Sequence, residues 1–139
     1  MTRRVLGSVL LLAALLAPIA CSTDPSPSPG RTDPYPPPIN NPQVSVLSPE
    51  LRKWLGFQPA VVIPAGEGPM IVQVPMRSLA EYTYNLDYRY LFYDQRGLLL
   101  EPAMAWVSIT LAPKEVIDLK ANSLDNTARS YRLEVRWSK

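Results

Sequence analysis

The residues of this chain that could do chemistry are few, and one kind is missing. No histidine occurs among the 139 residues. That removes the usual general base near neutral pH, the serine–histidine and cysteine–histidine nucleophile systems, and the commonest transition-metal ligand. Carboxylates remain, and a pair such as Asp87 and Asp94 could in principle divide the acid and base roles of glycoside hydrolysis. Seven residues apart on one strand, they would stand about 23 Å apart and face opposite sides, too far to share a bond. No glycine-rich phosphate loop or dinucleotide fingerprint is present either. The expectation is a non-enzyme with no cofactor and no metal site.

The denser signal is aromatic. Tyr82, Tyr84, Tyr88, Tyr90 and Tyr93 fall within twelve residues, interleaved with Asp87 and Arg89. Rings beside a cation can stack on sugars or on peptide side chains. Tyr88 and Tyr90 follow the alternation of a core-facing strand, as tyrosine often does. Tyr82, Tyr84, Arg89 and Tyr93 are left as a candidate interaction surface. Trp54 joins them from the stretch Leu51-Arg52-Lys53-Trp54-Leu55, whose apolar stripe could rest on a membrane or a partner, or could close one end of the fold.

Cys21 has a different kind of context. Arg3 and Arg4 precede an apolar run from Val5 to Ala17, followed by Pro18-Ile19-Ala20-Cys21 and an abrupt change to polar chain. A charged start, a short apolar run and a small residue before a cut make a secretory signal peptide over residues 1–20. The run holds 13 residues, short of the roughly 20 that a spanning helix needs. With cysteine just after the cut, the segment resembles the lipobox of bacterial lipoproteins, which implies lipidation of Cys21 and attachment to a membrane. Ordinary cleavage would instead leave the chain's one cysteine as an exposed thiol. Ser22 in the next position is compatible with the periplasmic face of the outer membrane. Processing would remove two of the 14 basic residues and leave twelve against twelve acidic ones, so no basic surface argues for nucleic acid.

Residues 21–47 read as the lipidated cysteine and a tether. Eight prolines lie between Pro25 and Pro42 with little that is large and apolar, which leaves extended or polyproline-II chain and no packed core. Fully extended, such a tether reaches on the order of 65 Å. Within it, Pro34-Tyr35-Pro36-Pro37-Pro38 could alternatively dock in an aromatic groove. Residues 48–139 suit one domain.

It starts with one or two helical turns, where Ser48 could cap, Pro49 suits the first position, and Leu51, Trp54 and Leu55 share a face. The apolar period then becomes two. Val61–Ile63; Met70, Val72, Val74 and Met76; Leu86, Tyr88, Tyr90 and Phe92; Leu98–Leu100; Val107, Ile109 and Leu111; Val116–Ala121; and Tyr131, Leu133, Val135 and Trp137 make seven strands. Arg132, Glu134 and Arg136 would face water. Asp94-Gln95-Arg96-Gly97 supplies a hairpin loop. Pro75 cannot donate to a ladder, which predicts a sheet edge or a bulge there. The fold class is all-β, an antiparallel sandwich of about seven strands.

Asp87-Tyr88-Arg89-Tyr90-Leu91-Phe92-Tyr93-Asp94, then Gly97, Trp106, Leu111-Ala112-Pro113 and Tyr131-Arg132-Leu133, are similar to the pattern of the YcfL family of periplasmic lipoproteins. Tyr93 stands where that family usually has tryptophan, and Ala121-Asn122-Ser123 where Ala-Pro-Asn is common. The resemblance implies an immunoglobulin-like sandwich and a lipid anchor. It implies no activity, because the family has none assigned; in some bacteria its members are encoded near lipoprotein activators of peptidoglycan synthases, which implies an envelope partner. The functional expectation is a non-catalytic cell-envelope lipoprotein, tied to the membrane through Cys21, whose domain binds a periplasmic protein through the edge near Pro75 or the tyrosine face. A module for glycan or peptidoglycan fragments and an anchoring part of a secretion machine are the alternatives.

Overall fold

The computed structural model describes residues 39–139. The signal segment, Cys21 and the proline-rich stretch through Pro38 lie outside them. Eight strands are present: β1 Val44–Val46, β2 Leu55–Phe57, β3 Val61–Ile63, β4 Ile71–Ser78, β5 Tyr84–Tyr93, β6 Val107–Leu111, β7 Val116–Asn122 and β8 Ser130–Trp137. One sheet runs β1-β8-β5-β6; in the other, β2 and β3 lie on one side of β4 and β7 on its far side. Among the described residues no helix is long and apolar enough to cross a membrane. The chain is an all-β sandwich, as the alternation predicts.

The period-two residues meet between the sheets. Leu86, Tyr90, Phe92, Leu133 and Val135 from one sheet and Val72, Val74, Met76 and Leu119 from the other are buried in one cluster. Each large apolar side chain so buried contributes about 1.5–3 kcal/mol. Tyr90 spans the layers: its hydroxyl donates to the Leu119 carbonyl at 2.7 Å. Burial, with Tyr131 and Tyr88 close by, pushes that phenol well above its ordinary range, so it serves as a neutral donor.

Several local expectations change. Val44–Val46, inside the segment expected as tether, is a strand, and it pairs parallel with β8 at Val44↔Leu133 and Val46↔Val135. The sandwich therefore carries one parallel edge and is not wholly antiparallel. Leu55 ends the predicted helical stripe but begins β2, while Pro49–Trp54 is a 3₁₀ helix. Ser48 does not cap it; its hydroxyl oxygen accepts the Trp137 N–H at 3.4 Å. Leu98–Leu100 makes only an isolated bridge, Tyr93↔Leu99. Gly97 has φ +78, the left-handed turn position expected of it.

Pro75 is not at an edge. It lies in β4, the strand with neighbours on both sides, opposite Asp118 of β7. Its other side faces the junction of β2 and β3, where the register slips by one residue between Phe57↔Met76 and Val61↔Gln73. Gln58 N–H donates to the Pro75 carbonyl at 3.0 Å there. A residue's N–H and C=O point the same way in a strand, so proline's missing donor falls where the ladder is already broken. The bulge is present, and the edge contact proposed at this residue is excluded by its position.

Candidate functional site

Trp54, Tyr82 and Tyr84 come together at one end of the sandwich. The 3₁₀ helix delivers Trp54, the turn before β5 delivers Tyr82, and the first residue of β5 is Tyr84. Trp137, at the end of β8, completes the group. Ring centroids lie 4.9 Å apart for Trp54–Tyr82, 5.1 Å for Trp54–Trp137 and 5.5 Å for Trp54–Tyr84, all edge-to-face, the arrangement that aromatic quadrupoles favour. Two polar atoms of the group are paired: the Tyr84 hydroxyl donates to the Trp54 carbonyl at 3.1 Å, and Trp137 Nε1 donates to Glu50 at 2.9 Å. Burial raises the pKa of the Tyr84 phenol. With 7% exposure Tyr84 cannot meet a partner directly, a correction to its reading as surface; Tyr82, at 43%, can. Leu51 of the same 3₁₀ helix is fully buried in the core, and Trp54 packs against that core, so the apolar stripe is turned into the sandwich end.

Arg89 belongs to a different surface. Five residues along β5 from Tyr84, it stands about 17 Å away, on the outer face of the first sheet. There it pairs with Glu134 at 2.8 Å, while Arg136 pairs with Asp87 at 3.3 Å and Ser108 donates to Asp87 at 2.7 Å. Trp106 lies against both guanidiniums, 4.5 Å from Arg89 and 3.8 Å from Arg136. Glu134, expected in water, is 9% exposed because this cover and the pairing enclose it. The Ser108 hydroxyl, with Ser138, Arg136 and the Lys139 backbone, holds the Asp87 carboxyl below its ordinary range against the opposing effect of desolvation. Asp94, the other carboxylate of the hypothetical pair, takes the N–H groups of Arg96 and Leu98 and an ion pair from Arg96. Both are tied into the fold.

Tyr93 sits at the far end of β5, nine residues and about 30 Å from Tyr84, beside Ser130 and Leu99. At this end the chain leaves a cleft of about 250 Å³ between the 98–106 connection and the loop after β7. Phe92, Leu100, Met104 and Leu124 give it an apolar lining; Glu101 and Asp125 are charged residues of the same wall. Met104 is held by its sulfur, which accepts the Tyr90 N–H at 3.4 Å. Leu124 is 75% exposed and Leu98 55%. Sequence reasoning missed this site. Its one trace was an apolar residue, Leu124, inside the polar run Asn122-Ser123-Leu124-Asp125-Asn126.

A family model described as a protein of unknown function, DUF1425, matches residues 43–137. The chain belongs to the DUF1425 family. Two solved structures share the fold. A DUF1425 family member from Shewanella sp. pv-4 is 23% identical, with a TM-score of 0.54 over 61% of this chain and 79% of that one. Campylobacter jejuni cj0090 is 17% identical, with a TM-score of 0.56 over 69% of this chain and 98% of that one. At these identities the likeness concerns the fold alone. No curated protein matches the chain.

Set on the DUF1425 fold, the expected surface thus divides into three. Trp54, Tyr82 and Tyr84 form an aromatic end closure, Arg89 is part of an ion-paired outer face, and Tyr93 borders the opposite end. The family match begins at residue 43, just before β1, in keeping with a folded unit that starts earlier than residue 48.

Proposed function

We propose that this DUF1425 protein is a non-catalytic lipoprotein of the bacterial cell envelope, akin to the YcfL proteins, whose sandwich binds another periplasmic protein. In this reading Cys21 carries the lipid, the proline-rich segment is a spacer, and the domain works at the periplasmic face of the outer membrane. One observation carries the binding role: Leu98 and Leu124, at 55% and 75% exposure, lie at the same end of the sandwich as the apolar cleft. Large apolar side chains exposed at the end that also carries an apolar cleft are the kind of surface that interaction sites use. The carboxylates considered for acid–base work support the non-catalytic part, since Asp87 and Asp94 spend their oxygens on Ser108, Arg136, Arg96 and backbone N–H groups.

The test is crosslinking in intact cells followed by purification from detergent-solubilised membranes. A protein recovered reproducibly with the wild-type chain and lost with Leu98→Ser, Leu124→Ser supports the proposal. Failure to recover any protein reproducibly rejects it. Mass spectrometry of the mature amino terminus tests the anchor separately: an acylated cysteine is expected, and an unmodified one would remove the membrane placement.

A further inference from the structure

We infer that the cleft between the 98–106 connection and the loop after β7 receives a partner segment in which a large apolar side chain is flanked by lysine or arginine. The inference rests on the protein-binding reading above and names the chemistry of what is bound.

The cleft's two kinds of wall argue for that occupant. Phe92, Leu100, Met104 and Leu124 offer an apolar surface around about 250 Å³, room for one side chain and not for an extended ligand. Its charge is negative only: the charged residues of its lining are Glu101 and Asp125, with no cation among them. Each is fixed by its own loop. Glu101 Oε2 accepts the Ala103 N–H at 2.9 Å, and Asp125 Oδ1 accepts the N–H and hydroxyl of Thr127. The other oxygen of each, Oε1 and Oδ2, accepts no hydrogen bond from the described residues. The Thr127 hydroxyl and N–H also hold the Asp125 carboxyl below its ordinary range, so it is charged at neutral pH.

Two carboxylates held in place by one oxygen, with the second oxygen available beside an apolar wall, complement a cation next to an apolar group. Such charge-assisted pairs are geometrically selective as well as attractive. An anionic or purely apolar segment would leave both charges facing a partner that cannot answer them. At the aromatic end the Tyr84 hydroxyl and the Trp137 indole N–H are paired within the chain, with the Trp54 carbonyl and Glu50.

The probes are two capped pentapeptides, Gly-Arg-Leu-Arg-Gly and Gly-Glu-Leu-Glu-Gly. They are titrated into the methyl-labelled full chain held in nanodiscs of zwitterionic lipid, which gives the basic peptide no charged membrane to bind. The arginine peptide is expected to shift the Leu100, Met104 and Leu124 methyl signals saturably, and raising the salt to 0.5 M is expected to weaken it. Glu101→Gln combined with Asp125→Asn keeps the oxygens that cap the loops and removes only the charge. It should reduce affinity at least fivefold with the spectrum otherwise unchanged, and Leu124→Ser should act in the same direction at no cost to folding. Equal shifts with the glutamate peptide, shifts confined to the Trp54 end, or no shifts at millimolar peptide would each overturn the inference. A partner recovered from cells whose capture is indifferent to the Glu101 and Asp125 changes would overturn it too, while leaving the broader interaction role standing. Peptide binding without any recoverable partner would do the reverse.

Discussion

At the Trp54 end of the sandwich, four aromatic rings linked by centroid distances of 4.9 to 6.2 Å fill the space between the sheets. The Tyr84 hydroxyl goes to the Trp54 carbonyl and the Trp137 indole N–H to Glu50. At the Leu124 end, that exposed leucine and two half-engaged carboxylates line an open cleft. Both ends face the same problem, since a sandwich must finish its core where the strands stop. One end spends aromatic side chains on closure. The other leaves apolar surface uncovered, which costs solubility and stability unless something else covers it. Composition alone would have assigned the roles the other way round, because tyrosines and tryptophans look like binding residues and a lone leucine does not.

The largest effect that could break this comparison comes from Trp54→Ala. Three edge-to-face contacts and the packing of Trp54 on the core would be lost, so about 3 kcal/mol of stability should go, at the low end for a large aromatic because Trp54 is only half-buried. Leu124→Ala, by contrast, should change stability by no more than about 0.5 kcal/mol. Denaturant midpoints at constant slope give both values, and a costly Leu124→Ala would mean that the cleft end is a core in its own right. Tyr84→Phe sharpens the same contrast by removing one hydroxyl, and about 1 kcal/mol is expected from the lost bond to the Trp54 carbonyl.

Acid sensitivity comes next. Asp87 has its carboxyl pKa depressed in the folded chain, chiefly by the Ser108 hydroxyl. A depressed carboxyl adds stability above its unfolded value and loses it as pH falls through the folded one. Stability from this group should therefore be constant at neutral pH and decline only below the ordinary aspartate value of 3.8. Asp87→Asn should flatten part of that decline, as read by thermal melts across pH 2 to 6. An unchanged acid slope would show that the Arg136–Asp87–Ser108 group does not couple to folding. The smallest effect belongs to Tyr82→Ala, which should leave partner binding unaltered if the aromatic end serves closure alone.

Much of the sandwich was legible because β4, β5 and β8 are long enough for the period of two to declare itself. Residues such as Val72, Val74, Leu133 and Val135 took the faces their alternation predicts. Three-residue strands are too short for a period, and only Val61–Ile63 was legible, as an unbroken apolar run. Val44–Val46 sat among prolines and asparagines, and Leu55 completed a helical stripe as well as it began a strand. The outer face failed for another reason. Arg132, Glu134 and Arg136 alternate as solvent-facing residues do, but the register that sets Arg89 opposite Glu134 and Asp87 opposite Arg136 is a property of two strands together. The candidate residues do not form one group, since Trp54, Tyr82 and Tyr84 close one end, Arg89 lies on the outer face and Tyr93 stands at the other end. The cleft was not legible, because it is assembled from loops whose approach no local pattern encodes.

The division of labour between the ends is tested most directly by a photoreactive amino acid placed at position 124 or at position 82 in cells producing the otherwise native chain. Both side chains are exposed, at 75% and 43%, so either can report on a neighbour. The account predicts a discrete crosslinked protein from position 124 and only background from position 82. A partner captured from position 82 and absent from position 124 would contradict it.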